Sequence, residues 1–63
     1  MRYKYYSLTK SGKYKDEFTC YSDIAFEFGV TRNSIAGKFY RARQKQSTII
    51  NVDGTLIEQV RSM

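Results

Sequence analysis

Apolar and polar positions change their period twice along the chain. Residues 2–20 alternate Tyr and Phe with Lys, Ser, Thr and acids, and the alternation breaks once, at Thr9-Lys10-Ser11-Gly12. A period of two interrupted by turn formers, with Gly available for a positive φ, predicts a β-hairpin. Alternation puts Tyr3 and Tyr5 on one face of its first strand and Lys4, Tyr6 and Leu8 on the other. It likewise separates Tyr14, Asp16 and Phe18 from Lys13, Lys15, Glu17 and Thr19 on the second. Asp16 interrupts an otherwise aromatic face, and the pattern leaves the register open.

Between residues 22 and 46 the period becomes helical. Ser22 suits an N-cap, Asp23 and Glu27 put negative charge near a helix start, and Ile24, Ala25 and Phe28 make a short apolar face. Gly29 suits the left-handed residue that ends such a helix. Thr31-Arg32-Asn33-Ser34 offers a new cap and a polar first turn. Ile35, Phe39 and Ala42 then recur at i, i+4 and i+7, and the second helix is expected to run to about Lys45.

Residues 47–60 carry two β-branched runs around Asp53-Gly54, a strong short-range signal for a hairpin with a type I′ turn. Such a turn pairs Val52 with Thr55, Ile50 with Ile57 and Ile49 with Glu58. Apolar residues then lie on both faces, so cover is expected on more than one side. The fold class that follows is α+β, with the order β-hairpin, helix-turn-helix, β-hairpin, a small winged-helix-like domain spanning residues 1–63.

Residues 21–40, YSDIAFEFGVTRNSIAGKFY, carry the functional signal. A helix-turn-helix needs a small residue where the helices cross, a Gly in the tight turn and an apolar wedge between them. Ala25, Gly29 and the set Ile24, Phe28, Val30 and Ile35 supply these, and Phe39 takes the packing role that Lys38 cannot. In this motif the second helix presents its N-terminal half to the major groove of duplex DNA. The outward candidates are Thr31, Arg32, Asn33, Ala36, Gly37 and Tyr40. Arg32 is expected to suit guanine and Asn33 adenine, with Ser34 and Thr31 on phosphates. Arg41 and Arg43 add charge at the C-terminal end, where the helix dipole also favours cations on a merely solvated face. Gly37 has two readings: it admits another element of the fold, or it lets the helix sit deep against DNA.

The 63 residues carry eleven Lys and Arg against six Asp and Glu, a net charge of +5. The excess falls in two blocks. Arg2, Lys4, Lys10, Lys13 and Lys15 form the first, and Arg32, Lys38, Arg41, Arg43 and Lys45 the second, with Asp16, Glu17, Asp23 and Glu27 between them. Such a stripe is the electrostatic footprint expected of a phosphate-binding surface.

Composition narrows the remaining classes. With no His and one Cys the chain offers neither the usual zinc ligands nor the common general bases and nucleophiles, so no metal, no cofactor and no enzymatic activity are expected. Cys20 is read as a small buried residue. A reducing, cytoplasmic and nucleoid-associated location is expected from the lone cysteine and the absence of an apolar segment near the ~20 residues a membrane span needs. The tyrosines at positions 3, 5 and 6 are read as hairpin core and rim, ahead of a base-stacking platform for single strands.

The Tyr-rich strand, the turn at Gly12, Phe18-Thr19, the run DIAFEFGVTRNSIAGKFYRA and the closing hairpin together resemble the small modules repeated in intron-encoded homing nucleases, over roughly residues 3–57. They are also similar to short phage-encoded helix-turn-helix proteins. The resemblance implies a DNA-contacting role for Thr31, Arg32, Asn33 and Ser34 and nothing catalytic. No attached catalytic domain is expected, and a free-standing phage or mobile-element transcriptional regulator is the expectation. A homodimer would add burial to a small core and place two recognition helices one DNA turn apart. The rival expectation is an inhibitor or adaptor that binds a host protein through its hairpin surfaces.

Overall fold

A computed structural model describes residues 2–62, with side chains placed from 3 to 61. The element order is β1 (Arg2–Leu8), β2 (Tyr14–Phe18), α1 (Tyr21–Phe28), α2 (Arg32–Gln44), β3 (Ile49–Val52) and β4 (Thr55–Ser62). The chain is therefore α+β, in the hairpin, helix-turn-helix, hairpin order that the periodicities predict. The two hairpins are not separate: β1 pairs antiparallel with β4, giving one four-stranded antiparallel sheet of order β2-β1-β4-β3. The C-terminal hairpin is thus the far half of a continuous sheet.

Its register is the one the Asp53-Gly54 turn dictates, with Val52 opposite Thr55, Ile50 opposite Ile57 and Ile49 opposite Glu58. Asp53 and Gly54 have φ of 53° and 85°, the paired positive values a type I′ turn requires. Asn51 Oδ1 accepts a hydrogen bond from the Gly54 amide at 3.0 Å and braces the turn.

The first hairpin departs from simple alternation. Tyr5 faces Phe18 and Tyr6 faces Glu17, but Leu8 faces Tyr14, so β2 carries one extra residue opposite Ser7. This bulge turns Tyr14 to the opposite face from Phe18, where its ring stacks on Tyr6 with centroids 4.3 Å apart. Ser7 occupies the irregularity, only 3% exposed. Its Oγ accepts from the Asp16 amide at 3.0 Å and donates to Asp16 Oδ2 at 3.4 Å. The acid that interrupts the aromatic face thus serves the bulge.

Both helices cover the same face of the sheet. Tyr5, Phe18, Ile50, Val52 and Ile57 come up from the strands to meet Ile24 and Ala25 of α1 and Ile35, Phe39 and Ala42 of α2. Tyr5, Tyr21 and Phe39 form an aromatic cluster with centroids 5.2–5.3 Å apart, in which Tyr21 stacks on Phe39. Tyr21 explains why α1 begins two residues earlier than a Ser22 cap would allow. It extends the stripe of Ile24, Ala25 and Phe28 back by one turn, at i, i+3, i+4 and i+7. The N-cap is consequently Cys20, without a side-chain cap bond, and its side chain is exposed rather than buried. Thr19 Oγ1 instead donates to Asp23 Oδ2 at 2.7 Å, which holds the Asp23 carboxyl below its usual range.

The opposite sheet face is uncovered. Ile49, Leu56 and Tyr14 are exposed there, so the apolar residues on both sides of the second hairpin receive cover from the helices on one side only. Lys4 pairs with Glu17 at 3.5 Å on this face, and the Tyr14 hydroxyl donates to Glu58 Oε1 at 2.9 Å.

Burial pushes the Tyr5 phenol well above its ordinary value near 10, with a hydrogen bond to Tyr21 adding to the rise. The bond to Glu58 raises Tyr14 in the same sense. In both, folding favours the neutral form. Their contribution is complete below the unfolded value of about 10 and is lost as pH rises toward the folded one. Urea midpoints are expected to fall above about pH 10, and Tyr5→Phe should flatten that limb. A midpoint indifferent to pH between about 8 and 11 would contradict the placement of Tyr5.

Candidate nucleic-acid interface

The turn between the helices is built from backbone requirements the sequence meets residue by residue. Gly29 adopts a left-handed conformation, φ 66° and ψ 31°, in which a side chain would be strained. Its amide donates to Phe26 O at 3.4 Å and that of Val30 to Ala25 O at 3.0 Å, the paired bonds of a Schellman motif. Val30 lies at the rim, partly exposed, while Ile24 and Ile35 form the fully buried wedge between the helices and Phe28 packs on its edge. Thr31 then caps α2, its Oγ1 accepting from the Ser34 amide at 3.2 Å. The Thr31 hydroxyl is therefore occupied in part by holding the helix start, to which Ser34 contributes its amide.

Phe39, Ile35 and Ala42 pin α2 to the sheet along one stripe, which fixes what points away. Asn33, Gly37, Tyr40 and Gln44, at i, i+4, i+7 and i+11, form the outward line. Asn33 and Gln44 are exposed, and Tyr40 is 63% exposed despite its ring. Of the residues expected at the interface, the structure brings Asn33, Gly37 and Tyr40 onto this line and places the others beside it. Ser34 and Arg41 lie on one shoulder. Arg32, Ala36 and Arg43 lie on the other, where the Arg32 guanidinium sits 6.0 Å from the centre of the Tyr21 ring. Arg43 also borders a hollow of about 340 Å³ that it shares with Tyr3, Gln59 and Arg61.

Gly37 has no packing reason within the fold. A Cβ built there meets only Arg41 Nη2, at 3.9 Å, an ordinary contact. The reading in which another element of the chain needs the space is thereby excluded among the described residues.

Comparison with family models, with curated proteins and with solved structures finds no match for this chain.

The electrostatics of α2 follow from its composition. It contains no acid, and four of the six acids are engaged elsewhere: Asp16 with Ser7, Glu17 with Lys4, Asp23 with Thr19 and Glu58 with Tyr14. Among the described residues no cation of α2 makes an ion pair. One contributor escaped the sequence reading: Gln44 falls on the outward line by the same spacing that selects Asn33. Lys38 and Lys45, members of the second basic block, extend the Ser34 and Arg41 shoulder at i+4 and i+11. Tyr5, by contrast, is in the core and offers no stacking surface. No group of His, Cys, Asp or Glu among the described residues is arranged to hold a metal ion, and no helix is long and apolar enough to cross a membrane.

Proposed function

We propose that the protein is a non-enzymatic, sequence-specific duplex DNA-binding protein that lays α2 in the major groove, in the manner of a phage or mobile-element transcriptional regulator. The observation that carries this reading is the outward face of α2. A helix about 10–12 Å across fits a major groove about 12 Å wide. What α2 presents there is amide and phenol chemistry on the midline, cations on both shoulders, and a glycine at the centre with no role in the fold. A mid-helix Gly costs about 1 kcal/mol relative to Ala, and close approach of a base edge or backbone gives a reason for it.

Asn33, at the exposed N-terminal end of the line, is the residue placed to read adenine. Asn33→Ala is expected to lose about 1–3 kcal/mol of discrimination between the preferred duplex and a random one, whereas Arg43→Ala should weaken both alike. Gly37→Ala should separate folding from binding, raising helix stability by about 0.5–1 kcal/mol while reducing affinity. Gel-shift titrations on both duplexes, beside urea melts, check all three. A Gly37→Ala protein that is more stable and binds as well as its parent would remove the argument from that glycine.

One observation favours the rival reading, a host-protein partner. Phe26 is 90% exposed on α1, between Asp23 and Glu27, and an isolated exposed Phe is a suitable anchor for a protein pocket. Absence of binding to any duplex at low salt would turn the assignment toward that surface.

A further inference from the structure

We propose that the groove between α2 and the free edge of β3 seats the sugar-phosphate backbone of one strand of the bound duplex, making the edge strand a second element of the interface. The proposal rests on the duplex-binding reading and assigns a site outside the reading face of the helix.

The groove holds about 450 Å³ and is bordered by Lys38 and Arg41 of α2, by Lys45 at its C-cap and by Ile49, Ile50 and Asn51 from β3, with no carboxylate on its walls. Ile50 belongs to the helix-covered face of the sheet and Ile49 to the open one, so the groove wraps around the strand edge. The cations fall at i, i+3 and i+7 along one flank, a row of about 10 Å at 1.5 Å per residue. A row suits a chain of phosphates better than a single small anion. Three like charges without an acidic partner repel one another, and that repulsion is relieved when an anionic strand lies between them.

β3 contributes main-chain chemistry. Among the described residues it is an edge strand and pairs only with β4. Val52 and Thr55 flank a two-residue turn and form a hydrogen-bonded pair, so the bonds alternate down the strand. The rhythm continues to the Gln59 amide, which donates to Thr48 O at 2.8 Å. The amides of Ile49 and Asn51 therefore face away from β4. Ser47 Oγ accepts from the Ile49 amide at 3.2 Å, which leaves the Asn51 amide as the edge donor toward a phosphate oxygen.

The test uses the whole chain and two labelled duplexes, one of random sequence and one recovered by selection from a random pool. Lys38→Gln/Lys45→Gln is expected to flatten the log-log salt slope by about 1.8, at about 0.9 per phosphate contact. Its affinity deficit should then shrink about tenfold between roughly 50 and 200 mM salt, equally on both duplexes. Arg61→Gln removes an exposed charge that belongs to neither basic block and should leave the slope unchanged. Circular dichroism confirms that both variants are folded. A groove variant with the parental slope, or an Arg61→Gln variant that flattens it by as much per charge, overturns the groove while Asn33→Ala still reports on the reading helix. An acidic peptide that competes with the parent but not with the groove variant, while the duplex slope stays parental, assigns the edge to a protein strand instead. A parent that binds neither duplex at low salt overturns both proposals.

Discussion

Raising the salt from about 50 to about 200 mM is expected to weaken duplex binding by about two to three orders of magnitude. Arg32, Lys38, Arg41 and Arg43 lie on α2 and Lys45 is its C-cap, and none of the five has a carboxylate partner among the described residues. Each that meets a phosphate releases condensed counterions, so the slope of log affinity against log salt is about −0.9 per contact. With four to six contacts the fourfold change in salt gives that loss. Fluorescence anisotropy with a labelled duplex measures it directly. A slope shallower than about −1 would leave no room for the shoulders of α2 as a phosphate clamp, and the binding, if present, would have to be carried by stacking or apolar contact.

Phe39→Ala is expected to unfold the domain. The ring lies at the centre of the aromatic cluster, against both Tyr5 and Tyr21, and is almost wholly buried. Removing a buried Phe costs about 3–5 kcal/mol. A chain of this length has a total stability of about 3–9 kcal/mol at about 0.05–0.15 kcal/mol per residue. Tyr40→Ala, one position further along the same helix, removes an exposed ring and should change stability by no more than about 0.5 kcal/mol. Urea melts of the pair give a sharp contrast. Similar midpoints for the two variants would mean that α2 is rotated about its axis, with Phe39 out of the core.

Local chemistry made most of the fold legible. The Asp53-Gly54 pair dictates both the turn and the register of its hairpin, because two positive φ values are available there and the β-branched runs on either side must pair. Gly29 and Thr31 mark the turn between the helices for equally local reasons. Three features are not local. The bulge opposite Ser7 turns Tyr14 away from Phe18 by one extra residue, which alternation cannot register. The start of α1 is set by Tyr21 reaching Phe39 and Tyr5, a contact across more than fifteen residues of sequence that outweighs the better capping chemistry of Ser22. The pairing of β1 with β4 joins the two ends of the chain, and no motif in either strand announces the other as its partner.

The candidate interface divides the same way. Helical spacing from the buried Ile35 and Phe39 suffices to find Asn33, Gly37 and Tyr40. The same spacing applied one turn further reaches Gln44. The place of Lys38 beside the sheet edge could not be found so, because it depends on β3 lying alongside α2; from the sequence alone Lys38 is one charge of the second basic block and a misfit in an apolar position.

The sheet order has a kinetic consequence. β4 lies between β1 and β3, so the first strand in chain order has to wait for the last before the sheet can close. Before that, β1–β2 is an isolated hairpin, marginal on its own, and the helices lack half the surface they pack on. Closing so long a loop delays the transition state and leaves the aromatic face of β1 open to other chains during synthesis. The same closure makes the finished domain cooperative, since neither hairpin retains a complete sheet without the other.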